Sequence, residues 1–466
     1  MVTWLLTDEL HINNVAVFDA FYRPKDNISY AVAAGLEDVI RYINDLRFTE
    51  DDIAYLRAQN QFDEDFLEYL SGFRFTGEIY AVPEGTVVFP YEPLVRVKAP
   101  IAEAQFIETA LLTFINHQTL IATKASRVCY AAGDSQVMEF GLRRAQGADA
   151  GIYGARAAVI GGCSSTSNVL AGKMFGIPIS GTHAHSWVMS FPSELDAFRA
   201  YAEVFPDACL LLVDTYDTLK SGVPHAIQVF EELRAAGHEP VGIRLDSGDL
   251  AYLSKKARGM LDAAGFPKAK ICASSDLDET VIRDLRMQGC CIDLWGVGTK
   301  LITSSDNPAL GGVYKMAAEY LPDGTMVPKM KLSDNQSKVT NPGYKKLFRL
   351  YDNHTKKAIA DLIGLNDDVI DETKPLRIYH PIETYKSMAI ADFSVRELLV
   401  PVFVDGKQVY REPDMDEIRA YAKAEKETMW DEYKRLLNPH IYKVDLTDRL
   451  YDMRKELLNE YRRNKA

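Results

Sequence analysis

Five apolar runs, each ending in polar, Gly-rich or ionisable residues and the central ones spaced by about thirty residues, constrain this chain more than any other feature. Residues 177–179 lead into Gly181-Thr182-His183-Ala184-His185-Ser186-Trp187, residues 210–213 into Asp214-Thr215-Tyr216-Asp217, and residues 242–245 into Asp246-Ser247-Gly248-Asp249. Residues 271–273 then run into Ser274-Ser275-Asp276, and 292–295 into Gly296-Val297-Gly298-Thr299. The segments between them read as helices. Leu195, Phe198, Tyr201 and Ala202 recur at helical spacing after Ser193, and the runs 223–236 and 249–264 stop at Gly237 and Gly265, a C-cap signal. Strand, loop and helix in repetition predict parallel strands with crossover helices. The fold class expected is α/β: an irregular (β/α) barrel of parallel strands whose chemistry gathers at the C-terminal strand ends.

The flanks differ. Residues 15–22 and 75–97 alternate apolar and polar positions, punctuated by Gly77, Pro83, Gly85, Pro90 and Pro93, and predict antiparallel strands; 102–120 reads as a buried helix. Beyond the barrel, 377–381 and 398–404 look like strands and 414–438 like a charged helix. The C-terminal strands are expected to return to the N-terminal sheet and complete an α+β domain. At 466 residues the chain exceeds one core. The expected division is 1–123, N-terminal α+β; 124–345, barrel; and 346–466, the returning segment that ends in helices.

A formal net charge of −13 argues against a general nucleic-acid surface, though local cations and backbone amides can still hold phosphates. Cys129, Cys163, Cys209, Cys272, Cys290 and Cys291 form no CxxC pair and read as reduced small hydrophobes. No apolar stretch approaches the ~20 residues that span a bilayer, and the N-terminus lacks a basic n-region, so neither membrane nor export is expected. A cytoplasmic enzyme is the simplest account.

Longer motifs carry a resemblance. Glu139-Phe140-Gly141-Leu142-Arg143-Arg144-Ala145, Gly154-Ala155-Arg156-Ala157-Ala158 running into Ser164-Ser165-Thr166-Ser167-Asn168, and the GTHAHSW, VDTYDT, IRLDSGD and WGVGTKL segments follow one another in order. With these the chain resembles the nicotinate phosphoribosyltransferases, from about Val15 to the C-terminal helices. The resemblance implies transfer of phosphoribosyl from phosphoribosyl pyrophosphate (PRPP) to nicotinate in NAD biosynthesis, coupled to ATP hydrolysis through a phosphohistidine, with Mg²⁺ and in a homodimer that shares its active sites.

The roles follow from that resemblance. His185 is the phospho-acceptor, Asp214 the carboxylate that orients its ring, and His183 a neighbour on the same strand face that touches substrate. Asp246 lies where the Mg²⁺ and ribose hydroxyls of PRPP belong, and Arg244 where pyrophosphate departs. Asp249 reads instead as a helix N-cap. Gly296, Gly298 and Thr299, with Ser274 and Ser275, are expected to hold the ribose phosphate. Phe140 stacks on the pyridine near Arg143. Thr166, with Ser165 and Ser167, stands where nicotinamide-using relatives are expected to carry an aspartate, which favours the acid substrate. Arg23 and Lys315 resemble cations of a phosphate site, Arg23 one lent to the neighbouring subunit. Family members open with a Thr-Asp-x-Tyr-type helix whose tyrosine covers the pyridine. Here Thr7-Asp8-Glu9-Leu10 supplies only its first two residues, and the start is expected to fall inside that helix. Two other readings use the same residues. A His-x-His strand end with later aspartates also suits a metal-dependent amidohydrolase, although His225 and His238 fall away from strand ends. A non-catalytic pyridine- or PRPP-binding relative is the other.

Overall fold

In the computed structural model, residues 14–25, 28–333, 335, 338–383 and 385–465 are described. They pack as two compact units, one of residues 1–120 with 309–466, the other of residues 121–308.

The first unit holds a large antiparallel sheet, a large mixed sheet and a two-stranded ladder of Ala31–Val32 with Val87–Val88. In the first, Val15–Tyr22 lies between Gly312–Tyr320 and Val95–Pro100, followed outward by Glu78–Ala81, Val400–Val404 and Lys407–Gln408. Val15–Tyr22 is apolar almost throughout because both of its faces are covered. Ala16, Phe18, Ala20 and Tyr22 join the main core while Val17 packs on Ala317 and Ala318. Asp19, on the Val17 face, is buried and ion-pairs with buried Lys345 at 2.7 Å. The second sheet runs Ser387–Ile390, Leu376–Tyr379, Val444–Leu446, Ala358–Leu365, Lys345–Asp352 and Phe393–Glu397.

Four expectations change here. Of the C-terminal strands, only Val400–Val404 and its hairpin partner Lys407–Gln408 return to the N-terminal sheet; the rest build a sheet of their own. Residues 309–345, expected in the barrel, pack with the first unit, because Gly312–Tyr320 forms a full antiparallel ladder with Val15–Tyr22. The expected boundary at 123/124 falls inside a helix, Glu108–Ala132, whose apolar positions continue through Ile121, Ala122, Ala125 and Val128. The expected 414–438 helix is two, Met415–Thr428 and Asp431–Lys434, the first opened by a capping box of Asp414 and Glu417.

The second unit is a six-stranded parallel sheet in the order Ser165–Thr166, Gln136–Glu139, Leu294–Val297, Lys270–Ser275, Gly242–Leu245, Leu210–Leu212. Helices Glu194–Val204, Val223–Ala235, Leu250–Ala263 and Glu279–Met287 alternate with its strands as the sequence pattern required. Asp249 caps Leu250–Ala263 by accepting from Tyr252 N–H. The barrel expected from the sequence is an open sheet in its strand pairing. The run 177–179 contributes one isolated bridge, Thr166 to Ile179, and Leu210–Leu212 pairs on one side only. Among the described residues no helix is long and apolar enough to cross a membrane.

A buried charge cluster stiffens the first unit. Arg349, fully buried, donates to Asp361 Oδ1 at 2.8 Å and to Glu425 Oε2 at 2.9 Å, joining two adjacent strands to the helix Met415–Thr428. Removing one member leaves the others unpaired in the interior. Arg349→Met is therefore expected to lower unfolding free energy by about 3–5 kcal/mol, read from denaturant titrations.

Candidate active site

The C-terminal ends of the parallel strands open into a cavity of about 440 Å³ within the second unit. Phe140 follows Gln136–Glu139, Arg143 and Arg144 sit on a single helical turn beyond it, and Arg244 and Asp246 come from the end of Gly242–Leu245. Ser274, Ser275 and Asp276 end the next strand, Gly296, Gly298 and Thr299 the one beside it, and the loop 181–185 and Ser167 complete the lining. Sequence reasoning named most of these. It assigned no role to Arg144, Thr182, Thr215 or Asp276, although each directly neighbours a residue that it did name.

His185 is the only imidazole substantially open to this cavity among the described residues, its side chain 39% exposed. Its Nδ1 lies 3.2 Å from the Thr215 hydroxyl, and its Nε2 faces Asp246 Oδ2 at 3.6 Å and Asp214 Oδ1 at 4.0 Å. Asp214 was expected to hydrogen-bond the ring directly. Instead its Oδ2 accepts from Asp246 N–H at 2.9 Å and from the Ser247 hydroxyl at 2.6 Å, while buried Oδ1 has no hydrogen-bond partner. Thr215 takes the ring-orienting contact. The shared strand face expected for His183 and His185 is also absent, because the backbone turns helical at His185. His183 lines the cavity but spends its Nε2 on the Leu212 N–H, 3.2 Å away.

Arg244 ties three rim segments together. Its Nε donates to Ser274 Oγ at 2.7 Å, Nη1 to Thr182 Oγ1 at 2.6 Å and Nη2 to Asp246 Oδ1 at 2.9 Å. Ser274 also donates to Asp246 Oδ1. Burial by itself would raise the Asp246 pKa; the Ser274 hydroxyl, Arg244 and His185 together outweigh it and hold the carboxyl below its ordinary range. Asp246 is thus a charged group at neutral pH, half enclosed and facing the imidazole.

Gly296 was expected to bring backbone close to an anion. The closer constraint is aromatic: a Cβ there would meet the Phe140 ring at 2.7 Å, so the glycine is what seats the ring. Gly141 is similarly confined, between Ile302 and the buried Glu139 carboxylate, which accepts the Gly141 N–H. Burial raises the Glu139 pKa against the opposing pull of Thr166 and Gly141. Phe140 in turn lies 5.8 Å below the Arg244 guanidinium.

Several expected residues lie elsewhere. Thr166 is fully buried and donates to Glu139 Oε2 at 2.6 Å, and Ser165 bonds Ser180 at 2.6 Å, so of that trio only Ser167 faces the cavity. Arg23 and Lys315 belong to the first unit, where Lys315 Nζ donates to Tyr314 O at 2.7 Å. Thr7-Asp8-Glu9-Leu10 lies outside the described residues. His225 and His238 bond Glu194 and Asp207, away from the rim, and among the described residues no group of three or more His, Cys, Asp or Glu is arranged to hold a metal ion.

Fold and rim together define a class: an α/β enzyme that converges imidazole, carboxylate, hydroxyl and guanidinium groups on the carboxyl ends of parallel strands. Comparison with known proteins sharpens it. Sequence models of the nicotinate phosphoribosyltransferase N-terminal domain, family and C-terminal domain match residues 2–116, 135–338 and 344–454. The nicotinate phosphoribosyltransferase of Bacillus subtilis is 49% identical over 447 residues, 96% of this chain and 90% of that protein. The human enzyme is 32% identical over 497 residues, 94% of this chain and 91% of that one. The crystal structure of human nicotinic acid phosphoribosyltransferase superposes with a TM-score of 0.84 at 29% identity, covering 96% of each chain. The chain belongs to the nicotinate phosphoribosyltransferase family.

Two outcomes follow from the site's packing. Gly296→Ala is expected to displace the Phe140 ring and lower unfolding free energy by about 1–3 kcal/mol, read from denaturant titrations. Burial, with Arg244 and His185 nearby, lowers the His183 pKa from 6.5 to about 4. Between those values the unfolded chain binds a proton that the folded chain refuses, so stability is full above 6.5 and declines as pH falls toward 4. The slope is at most ~1.4 kcal/mol per pH unit, measured by unfolding at several pH values, and should flatten in His183→Gln.

Proposed function

We propose that the chain joins nicotinate to PRPP, releasing pyrophosphate and nicotinate mononucleotide in NAD biosynthesis, and that ATP hydrolysis drives the reaction through a phosphohistidine at His185. One observation carries the reading: a partly open imidazole with one nitrogen on a hydroxyl and the other toward two carboxylates, on a rim rich in guanidinium groups.

When Thr215 accepts from Nδ1–H, Nε2 keeps its lone pair. That nitrogen attacks the γ-phosphorus of ATP, the bond to the bridging oxygen breaks, and ADP leaves with the electron pair. Water later cleaves the N–P bond and releases phosphate. Asp214 and Asp246 hold the ring as positive charge develops on it. In the transfer step the pyridine nitrogen attacks the anomeric carbon of PRPP as pyrophosphate departs with its bonding pair. Arg244, fixed by Ser274, Thr182 and Asp246, presents a preorganised cation to that leaving charge.

Mg²⁺ arriving with the diphosphate needs hard oxygen ligands, and the residues present fit a metal held by one or two carboxylates plus phosphate oxygens. Asp246 is ionised with Oδ2 toward the cavity, and Asp276 is exposed beside it. Ser274, Ser275, Gly298 and Thr299 are assigned to the ribose phosphate, and Phe140 to the pyridine face.

Selectivity for the acid rests on Ser167 with Arg143 and Arg144. Both guanidinium groups are exposed at the cavity and make no hydrogen bond or ion pair among the described residues. A carboxylate substrate gains from them. Two copies are assigned to share sites, with Arg23 serving the phosphate groups of the other copy and Lys315 a phosphate-binding cation. The six thiols, none of them in a disulfide, fit a cytoplasmic setting.

Incubation with ATP should place an acid-labile phosphate on His185 by mass spectrometry, absent in His185→Ala; turnover with no phosphate there would sink the phosphohistidine. Ser167→Asp is expected to lower kcat/KM for nicotinate by about 10- to 100-fold while sparing nicotinamide, through like-charge repulsion across the cavity. Mixing inactive Arg23→Ala and His185→Ala dimers should restore activity by subunit exchange. A mixture that stays inactive after exchange is demonstrated would remove the shared site.

A further inference from the structure

The strand Leu210–Leu212 has a partner on one side only, Gly242–Leu245. Val213 N–H donates to Arg244 O at 3.1 Å, toward that partner. Successive amides of a strand point to opposite sides, so the Leu212 N–H faces the edge where no strand lies. Leu212 is 1% exposed, so bulk water does not satisfy it. The acceptor is a side chain, His183 Nε2 at 3.2 Å.

Accepting that bond requires a lone pair on Nε2, which makes the ring neutral and puts its one proton on Nδ1. Nδ1 is itself buried and has no hydrogen-bond partner. The ring is wedged against Tyr201, 4.6 Å between centroids, and Phe198 at 6.2 Å, both on the helix Glu194–Val204. Its orientation is therefore set by packing and by one backbone amide.

The two ends of this bond sit close to the chemistry. His183 precedes His185 by two residues; Leu212 precedes Asp214 by two and Thr215 by three. Among the described residues no backbone hydrogen bond joins the segment 181–185 to 210–215. The remaining ties between them are side-chain contacts at His185 itself.

We propose that His183 is a positioning residue: as a neutral ring accepting from Leu212 N–H, it latches the open sheet edge to the loop 181–185 and so holds His185 against Thr215 and the aspartates. This rests on the reading of His185 as phosphoryl acceptor. The latch does for this edge what a closing strand would do in a complete barrel.

The test compares His183→Gln, whose side-chain carbonyl can accept from Leu212, with His183→Leu, which fills space and cannot. ATP-dependent phosphorylation of His185 is followed by rapid quench and mass spectrometry, ATP affinity by calorimetry, and Leu212–Thr215 protection by hydrogen exchange. Leu should slow phosphorylation by about tenfold or more with ATP affinity within about twofold, and should speed exchange of that segment. Gln should recover most of both losses. A Leu variant that matches wild type in rate and exchange overturns the latch. So do equal losses in Gln and Leu, or ATP affinity falling in step with rate, since either would make the imidazole a ligand contact. If Leu does not fold, ¹⁵N-histidine spectra of the wild type decide: protonated Nδ1 with bare Nε2 supports the latch, and the opposite tautomer or a doubly protonated ring at neutral pH overturns it. Wild type without phosphate on His185 overturns the underlying reading, even if hydrogen exchange still reports the latch.

Discussion

The rim of the parallel sheet depends on one guanidinium. Arg244 spends its three nitrogens on Ser274, Thr182 and Asp246, which belong to three different chain segments. Parallel strands fix the backbone only to their last ladder bond; beyond it the loops have no common frame. A planar, permanently charged fork supplies that frame, because its donors diverge at fixed angles and cannot be neutralised by a proton. The carboxylate that faces His185 is thus held by a group whose charge does not depend on pH. A lysine in this place would offer the charge without the geometry.

Much of this arrangement was legible from residue order. An apolar run that ends abruptly in Asp, Ser or Gly marks a strand leaving the core, and the five such runs mark their rim segments by residue order alone. Legibility failed where the pattern is too short to carry a period. Ser165–Thr166 is a two-residue strand, and there a slip of one position exchanges inside for outside. Hence the motif points to Thr166 as a cavity residue, while the structure turns it onto Glu139 and leaves Ser167 in the opening. The pair His183 and His185 failed for a related reason. Their spacing suits a strand face, but the chain changes to helix between them, and sequence carries no strong marker for a five-residue helix.

Unit boundaries were obscured by the continuity of apolar positions. The helix Glu108–Ala132 keeps its buried stripe across the point where a linker was expected, so composition gives no break there. At the other end, 309–345 follows directly on the barrel motifs, and only the long-range ladder of Gly312–Tyr320 with Val15–Tyr22 reveals its allegiance. Pairing between residues three hundred positions apart leaves no local trace. Lys345, neutralising Asp19 across the same interior, is a further sign that this segment belongs with the first strand.

The unclosed edge of the parallel sheet has a mechanical consequence. In a sealed ladder the loss of one bond is shared among its neighbours; here Gly181 to His185 is pinned at separate points by Thr182, His183 and His185, so each side chain carries its tie alone and the loss of any one loosens the segment.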